Sequence, residues 1–204
     1  MQACARYLVS SRFTSSEKMG LHVNSAGGLL AGVMANTRPD LFAAMILKAP
    51  FLGVMSAMHD PTLPLTLHEY DEWGDPNDGR GAEAMIRSWC PYENVRRQAY
   101  PALLLSASVN DARYAVRLAS ATRCSNNIIC NFNSQHVCDI FQLIRVNYWD
   151  PAKWVARVRA NNTGEKPVVL RVSDSDGHDG PDSTFEDLQD SAMEMAFLEH
   201  YLGG

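Results

Sequence analysis

An α/β fold, with a mostly parallel sheet and helices on both of its faces, is what this 204-residue sequence predicts. Two observations point to it. Short apolar runs alternate along the chain with segments of helical spacing, the order expected of strand–helix–strand units. The apolar runs also lack the in–out polarity of a half-wet antiparallel strand, so they need cover on two sides. Composition agrees, because 46% hydrophobic and 20% charged residues belong to an ordinary folded domain.

Residues 2–11 (QACARYLVSS) have helical spacing, and 18–23 (KMGLHV) read as a short buried strand that runs into Asn24-Ser25-Ala26-Gly27-Gly28. LLAGVMANT resumes the helical period and stops before Arg38-Pro39. AAMILKAPF at 43–51 is a second strand, and YPALLLSASV at 100–109 is a third, entered through Pro101. DPAKWVARVRANN at 150–162 reads as a helix with Pro151 in its first turn, where the missing N–H costs nothing. KPVVLRV at 166–172 is a fourth strand. STFEDLQDSAMEMAFLEHYL at 183–202 is a closing amphipathic helix with Ser183 as N-cap.

Charge and cysteine content exclude several functions. A net charge of −5 gives no electrostatic reason to expect nucleic acid as a partner. No apolar run reaches the roughly 18 residues of a membrane span, and residues 1–20 lack the apolar centre of a signal peptide. The expectation is a soluble, cytoplasmic chain with no membrane partner. Five cysteines, without a CxxC pair and with only His136 among the clustered three, argue for free thiols and against a metal site.

In a parallel sheet the chemistry lies at the carboxyl ends of the strands. After the first strand comes Ser25, held by small residues on a strand-to-helix turn of the kind that exposes a nucleophilic hydroxyl. The backbone N–H of Ala26 is placed to donate to an oxyanion. Asp111 follows the third strand and His178 follows the fourth. Taken singly, Ser25 reads as well as a connecting turn, Asp111 as a turn residue and His178 as a loop histidine. A serine, an acid and a histidine in that order at successive strand ends form the layout of an α/β-hydrolase. His178 would be the base for Ser25, and Asp111 would orient its imidazole.

Seven blocks then carry a resemblance: Ser25 to Leu30 (SAGGLL), NTRPDLF at 36–42, DPTLPLT at 60–66, EYDEWGDP at 69–76, NDAR at 110–113, YWDPAKWVAR at 148–157 and Gly177-His178. Together they resemble the catalytic domain of the prolyl oligopeptidase family of serine peptidases, and EWGDP and PAKWVA resemble its oligopeptidase B branch. The resemblance implies a serine endopeptidase that cleaves short peptides after arginine or lysine through an acyl-enzyme, with no metal or organic cofactor. It makes Ser25 the nucleophile, Asp111 the orienting acid and His178 the base. It also implies that Glu69 and Asp71 read the basic side chain, and that Arg113 binds a substrate backbone carbonyl. The carboxylates are expected to share one guanidinium from an extended loop. Two other readings stay open: an esterase or thioesterase resembling prolyl endopeptidase-like proteins, and an inactive fragment.

Three departures from the family pattern stand out. Val23 occupies the place of the glycine usual two residues before the nucleophile, so the turn is expected to form with Ser25 displaced. The family's β-propeller and upstream strands, with the tyrosine that supplies a second oxyanion donor, have no counterpart here, and no blade-like repeat occurs. The chain therefore reads as the carboxyl-terminal part of a catalytic domain, residues 1–204 being a partial α/β-hydrolase domain with an exposed sheet edge. Last, 32 residues at 114–145 interrupt the pattern, and without them the separation of Asp111 and His178 falls from 67 residues to 35. A retained intron or gene-model error accounts for this segment; a surface insertion is the alternative.

Overall fold

Apolar runs of five to seven residues become strands, and the small-residue segment after the first of them becomes a helix. The computed structural model describes residues 1–63, 65–109, 146–173 and 184–203. The strands are β1 (Gly20–Asn24), β2 (Ala44–Lys48), β3 (Ala102–Ser108) and β4 (Val168–Ser173), paired in the order β1-β2-β3-β4 with every pair parallel. The helices are α1 (Gln2–Ser10), α2 (Gly27–Thr37), α3 (Val54–His59), α4 (Thr66–Trp73), α5 (Ala82–Trp89), α6 (Trp149–Asn161) and α7 (Thr184–Leu202).

The central strands β2 and β3 are buried on both faces, as their predominantly apolar, non-alternating sequences require. On one face Met45, Leu47, Leu103 and Leu105 pack with Ala31, Met34 and Ala35 of α2 and with Trp154, Val155 and Val158 of α6. The polar atoms in this layer are paired: the Trp154 indole N–H and the Asn36 amide both donate to the Pro91 carbonyl, at 3.3 and 2.8 Å. Pro151 is the third residue of α6, still within its first turn.

The opposite face carries α7, which meets the sheet through charge as well as apolar contact. Asp190 and Glu194, four residues apart and so on one side of the helix, are both buried. Glu194 accepts from Lys48 Nζ at 3.1 Å and lies 3.4 Å from His22 Nε2, while Asp190 pairs with Arg171 of β4. β1 forms one edge of the sheet, and Gly20, His22 and Asn24 along it are exposed.

Residues 54–89 depart from the sequence reading. The segment at 69–72, expected as an extended loop, is helical within α4, and α3 and α5 flank it. Val54, Met55 and Met58 of α3 join Ile86 and Cys90 in a second small core. Cys4 and Cys90 are free thiols, and no helix among the described residues is long and apolar enough to cross a membrane.

Candidate active site

β1 delivers the chain into a sharp turn. Ser25 has φ of +52°, a left-handed conformation that a residue with a β-carbon adopts only where its surroundings fix it. Three hydrogen bonds fix it here. Ser25 N donates to Lys48 O at 2.9 Å, while its carbonyl accepts from Gly28 N at 2.8 Å and from Phe51 N at 3.0 Å. α2 begins two residues later, and the backbone N–H of Ala26 makes no hydrogen bond among the described residues.

The elbow expected from small residues around a serine is therefore present, although Val23 replaces the usual glycine. Gly27 makes the room. A β-carbon placed on Gly27 would lie 3.3 Å from the β-carbon of Val23, so the two positions face each other and only one of them carries a side chain.

Ser25 and Ala26 open on a cavity of about 160 Å³ at the carboxyl ends of β1 and β2, roughly ten times the ~10–15 Å³ that one water needs by the same measure. Phe51 and Gly53 follow β2 into its wall. Met58 of α3, Thr66 and Glu69 of α4, and Trp149, Asp150 and Lys153 of α6 complete it. α4 is tied to α3 by two side-chain hydrogen bonds, from Thr66 Oγ1 to Ala57 O at 2.8 Å and from the Tyr70 hydroxyl to Met58 O at 3.1 Å.

Glu69 is half-buried in this wall. Burial pushes its carboxyl above the ordinary glutamate range, and the charge of Glu72 pushes it further. Asp71 is exposed and does not line the cavity. The helix explains the separation: residues two apart face different directions, whereas residues three apart, such as Glu69 and Glu72, share a face. The structure thus brings Ser25, Ala26 and Glu69 to one cavity and leaves Asp71 outside it. Asp111, Arg113, His178 and the segment 114–145 lie outside the described residues.

One pocket residue had no sequence signal of its own. Asp150 accepts from the backbone N–H groups of Leu52 and Gly53, both at 3.0 Å. Burial raises its carboxyl, and the two amides and Lys153 oppose the rise. An acid immediately before a proline reads as local turn chemistry, and nothing in it points to amides almost a hundred residues away.

Comparison with known proteins adds three findings. A model of the prolyl oligopeptidase family matches residues 1–125. A dipeptidyl aminopeptidase BI from Pseudoxanthomonas mexicana is 33% identical over 197 residues, which are 97% of this chain and 23% of that protein. Among solved structures, oligopeptidase B from Leishmania major superposes with a TM-score of 0.81 at 31% identity, covering 99% of this chain and 23% of its own. Oligopeptidase B from Trypanosoma brucei, solved with covalently bound antipain, gives 0.79 at 33% identity, covering 99% and 24%. The chain spans about a quarter of the length of the relatives it matches.

Proposed function

The chain belongs to the prolyl oligopeptidase family, a family of serine peptidases, and from that premise we propose that it forms the reacting part of a serine endopeptidase that cleaves short peptides after arginine or lysine. One observation carries the reading: a serine at φ of +52° opens, together with an Ala26 N–H that makes no hydrogen bond among the described residues, on the same cavity as the carboxyl of Glu69.

In this reading Ser25 Oγ attacks the scissile carbonyl and His178 takes its proton, with Asp111 orienting the imidazole. The carbonyl oxygen, negative in the tetrahedral intermediate, accepts from Ala26 N–H. His178 returns the proton to the leaving amine, and water then hydrolyses the acyl-enzyme by the same steps in reverse. Glu69 pairs with the guanidinium or ammonium of the residue before the cut. Arg113 binds a substrate carbonyl.

A fluorophosphonate probe tests the nucleophile. The expected result is labelling of the chain at Ser25, absent from Ser25→Ala and from His178→Ala. Folded chain that takes no label refutes the peptidase assignment. Hydrolysis of an arginine ester in preference to a prolyl amide and to a long-chain thioester is expected, and a preference for the thioester would replace the peptidase with a thioesterase.

A further inference from the structure

A single carboxylate joins the two halves of the cavity wall. Asp150 stands in the first turn of α6, and its Oδ2 accepts from Leu52 N and Gly53 N, the two amides that lead into α3. These donors belong to the start of a helix, where backbone N–H groups have no partner within the helix itself. They find one in a side chain that is 97 and 98 residues away in sequence. The fit is close enough to specify the neighbour, because a β-carbon on Gly53 would collide with Oδ1 of Asp150.

The connection extends in two directions. Towards the elbow, Phe51 N, one residue before the first amide, donates to the Ser25 carbonyl at 3.0 Å. The elbow also has two bonds independent of α3, Ser25 N to Lys48 O and Gly28 N to Ser25 O, that keep it in place without the bridge. Towards the acidic wall, α3 carries the Ala57 and Met58 carbonyls that receive Thr66 and Tyr70 of α4, the helix that bears Glu69. Fixing the entry of α3 therefore fixes where Glu69 stands relative to Ser25. We propose that Asp150 is a positioning residue, which sets the depth and angle of the cation-reading wall by bridging α6 to the entry of α3. The proposal rests on the peptidase reading for its consequence in catalysis, and on the geometry alone for the bridge.

Displacing a substrate-holding wall by about an ångström costs up to a hundredfold in rate, and a wall that contacts the cationic side chain acts on substrates that have one. The expected result for Asp150→Ala in the 204-residue chain is therefore a rise of about tenfold or more in KM for an arginine ester, with little change in kcat or KM for an alanine ester. Asp150→Asn, whose carbonyl oxygen can accept both amides, restores most of the arginine preference. Gly53→Ala pushes on the same carboxylate from the other side, so it reproduces the defect without altering Asp150, and it serves where Asp150→Ala fails to fold. Amide hydrogen exchange at Leu52 and Gly53 accelerates in Asp150→Ala and returns towards the wild-type rate in Asp150→Asn. Equal losses on both esters, or unchanged exchange at these two amides, overturns the proposal. A wild-type chain that hydrolyses neither ester defeats the peptidase reading instead, and the exchange rates at residues 52, 53 and 66–73 then decide the bridge by themselves.

Discussion

Replacing Glu69 by glutamine keeps the shape of the side chain and removes its charge, and the structure assigns opposite signs to the effects on folding and on binding. Burial and the neighbouring Glu72 raise the Glu69 carboxyl above its ordinary range. The folded chain thus holds this proton more tightly than the unfolded chain does. The contribution of Glu69 to stability is fully present below the ordinary glutamate pKa and is lost as pH rises through the raised value. At neutral pH the ionised group works against folding, so Glu69→Gln has a thermal midpoint equal to or above that of the wild type. Binding of a cation runs the other way, because only the ionised carboxylate pairs with it. A hydrogen bond to a charged group contributes about 1.5–3 kcal/mol, which corresponds to a rise of roughly ten- to 150-fold in KM for an arginine ester. An alanine ester makes no such bond and keeps its KM. The assay is steady-state hydrolysis of both esters from mildly acidic to neutral pH, beside thermal unfolding. Wild-type arginine preference falls as pH drops through the Glu69 pKa, whereas the preference of Glu69→Gln is low and flat. A glutamine variant that retained its arginine preference would refute the pocket; one that unfolded earlier would refute the electrostatic account.

Other perturbations test separate parts of the structure. Glu194→Ala removes the buried partner of Lys48 and His22; since both side chains are partly exposed and can rehydrate, the cost is about 2–3 kcal/mol, below the ~3–5 kcal/mol of a fully buried pair. Thermal unfolding then shows a midpoint lower by about 4–12 °C, and an unchanged midpoint would count against α7 being held by charge. Gly27→Ala places a β-carbon against Val23 and is expected to slow fluorophosphonate labelling of Ser25, with overpacking of about 1–3 kcal/mol; adding Val23→Gly restores the rate, and simple additivity in that double-mutant cycle would show that the two positions do not share one space. Deletion of 114–145 is expected to leave cooperative unfolding and Ser25 labelling intact, since β3 and β4 pair directly, and loss of either would show that the segment belongs to the fold.

What could be read from the sequence was what local chemistry determines. β2 and β3 are apolar but for Lys48, Ser106 and Ser108 towards their carboxyl ends and could be little else than central parallel strands, and the serine elbow announces itself by the small residues around Ser25. The helices α3, α4 and α5 were not legible. They have six to eight residues each, too short for a periodic pattern to outweigh the charges and turn residues around them, and α3 receives its entry cap from another part of the chain. That misreading had a consequence for the site: Glu69 and Asp71 look like a pair in an extended segment and cease to be one in a helix. Lys48 in an otherwise apolar strand, and Asp190 and Glu194 at a spacing of four, were visible as residues, but only the docking of α7 on the sheet shows why they are there.

Because β1 to β4 pair in the order in which they occur, each of β2, β3 and β4 meets a partner already made when it is synthesised. The cavity follows a different schedule. Ser25 and Glu69 leave the ribosome before the wall that contains Trp149, Asp150 and Lys153, which arrives only with α6. A nascent chain carries its reactive-looking turn through more than a hundred further residues before the groups that would hold a peptide against it exist. The long-range cap from Asp150 thereby acts as a check on completion: the groove closes around its contents only after β1, β2 and β3 have been made.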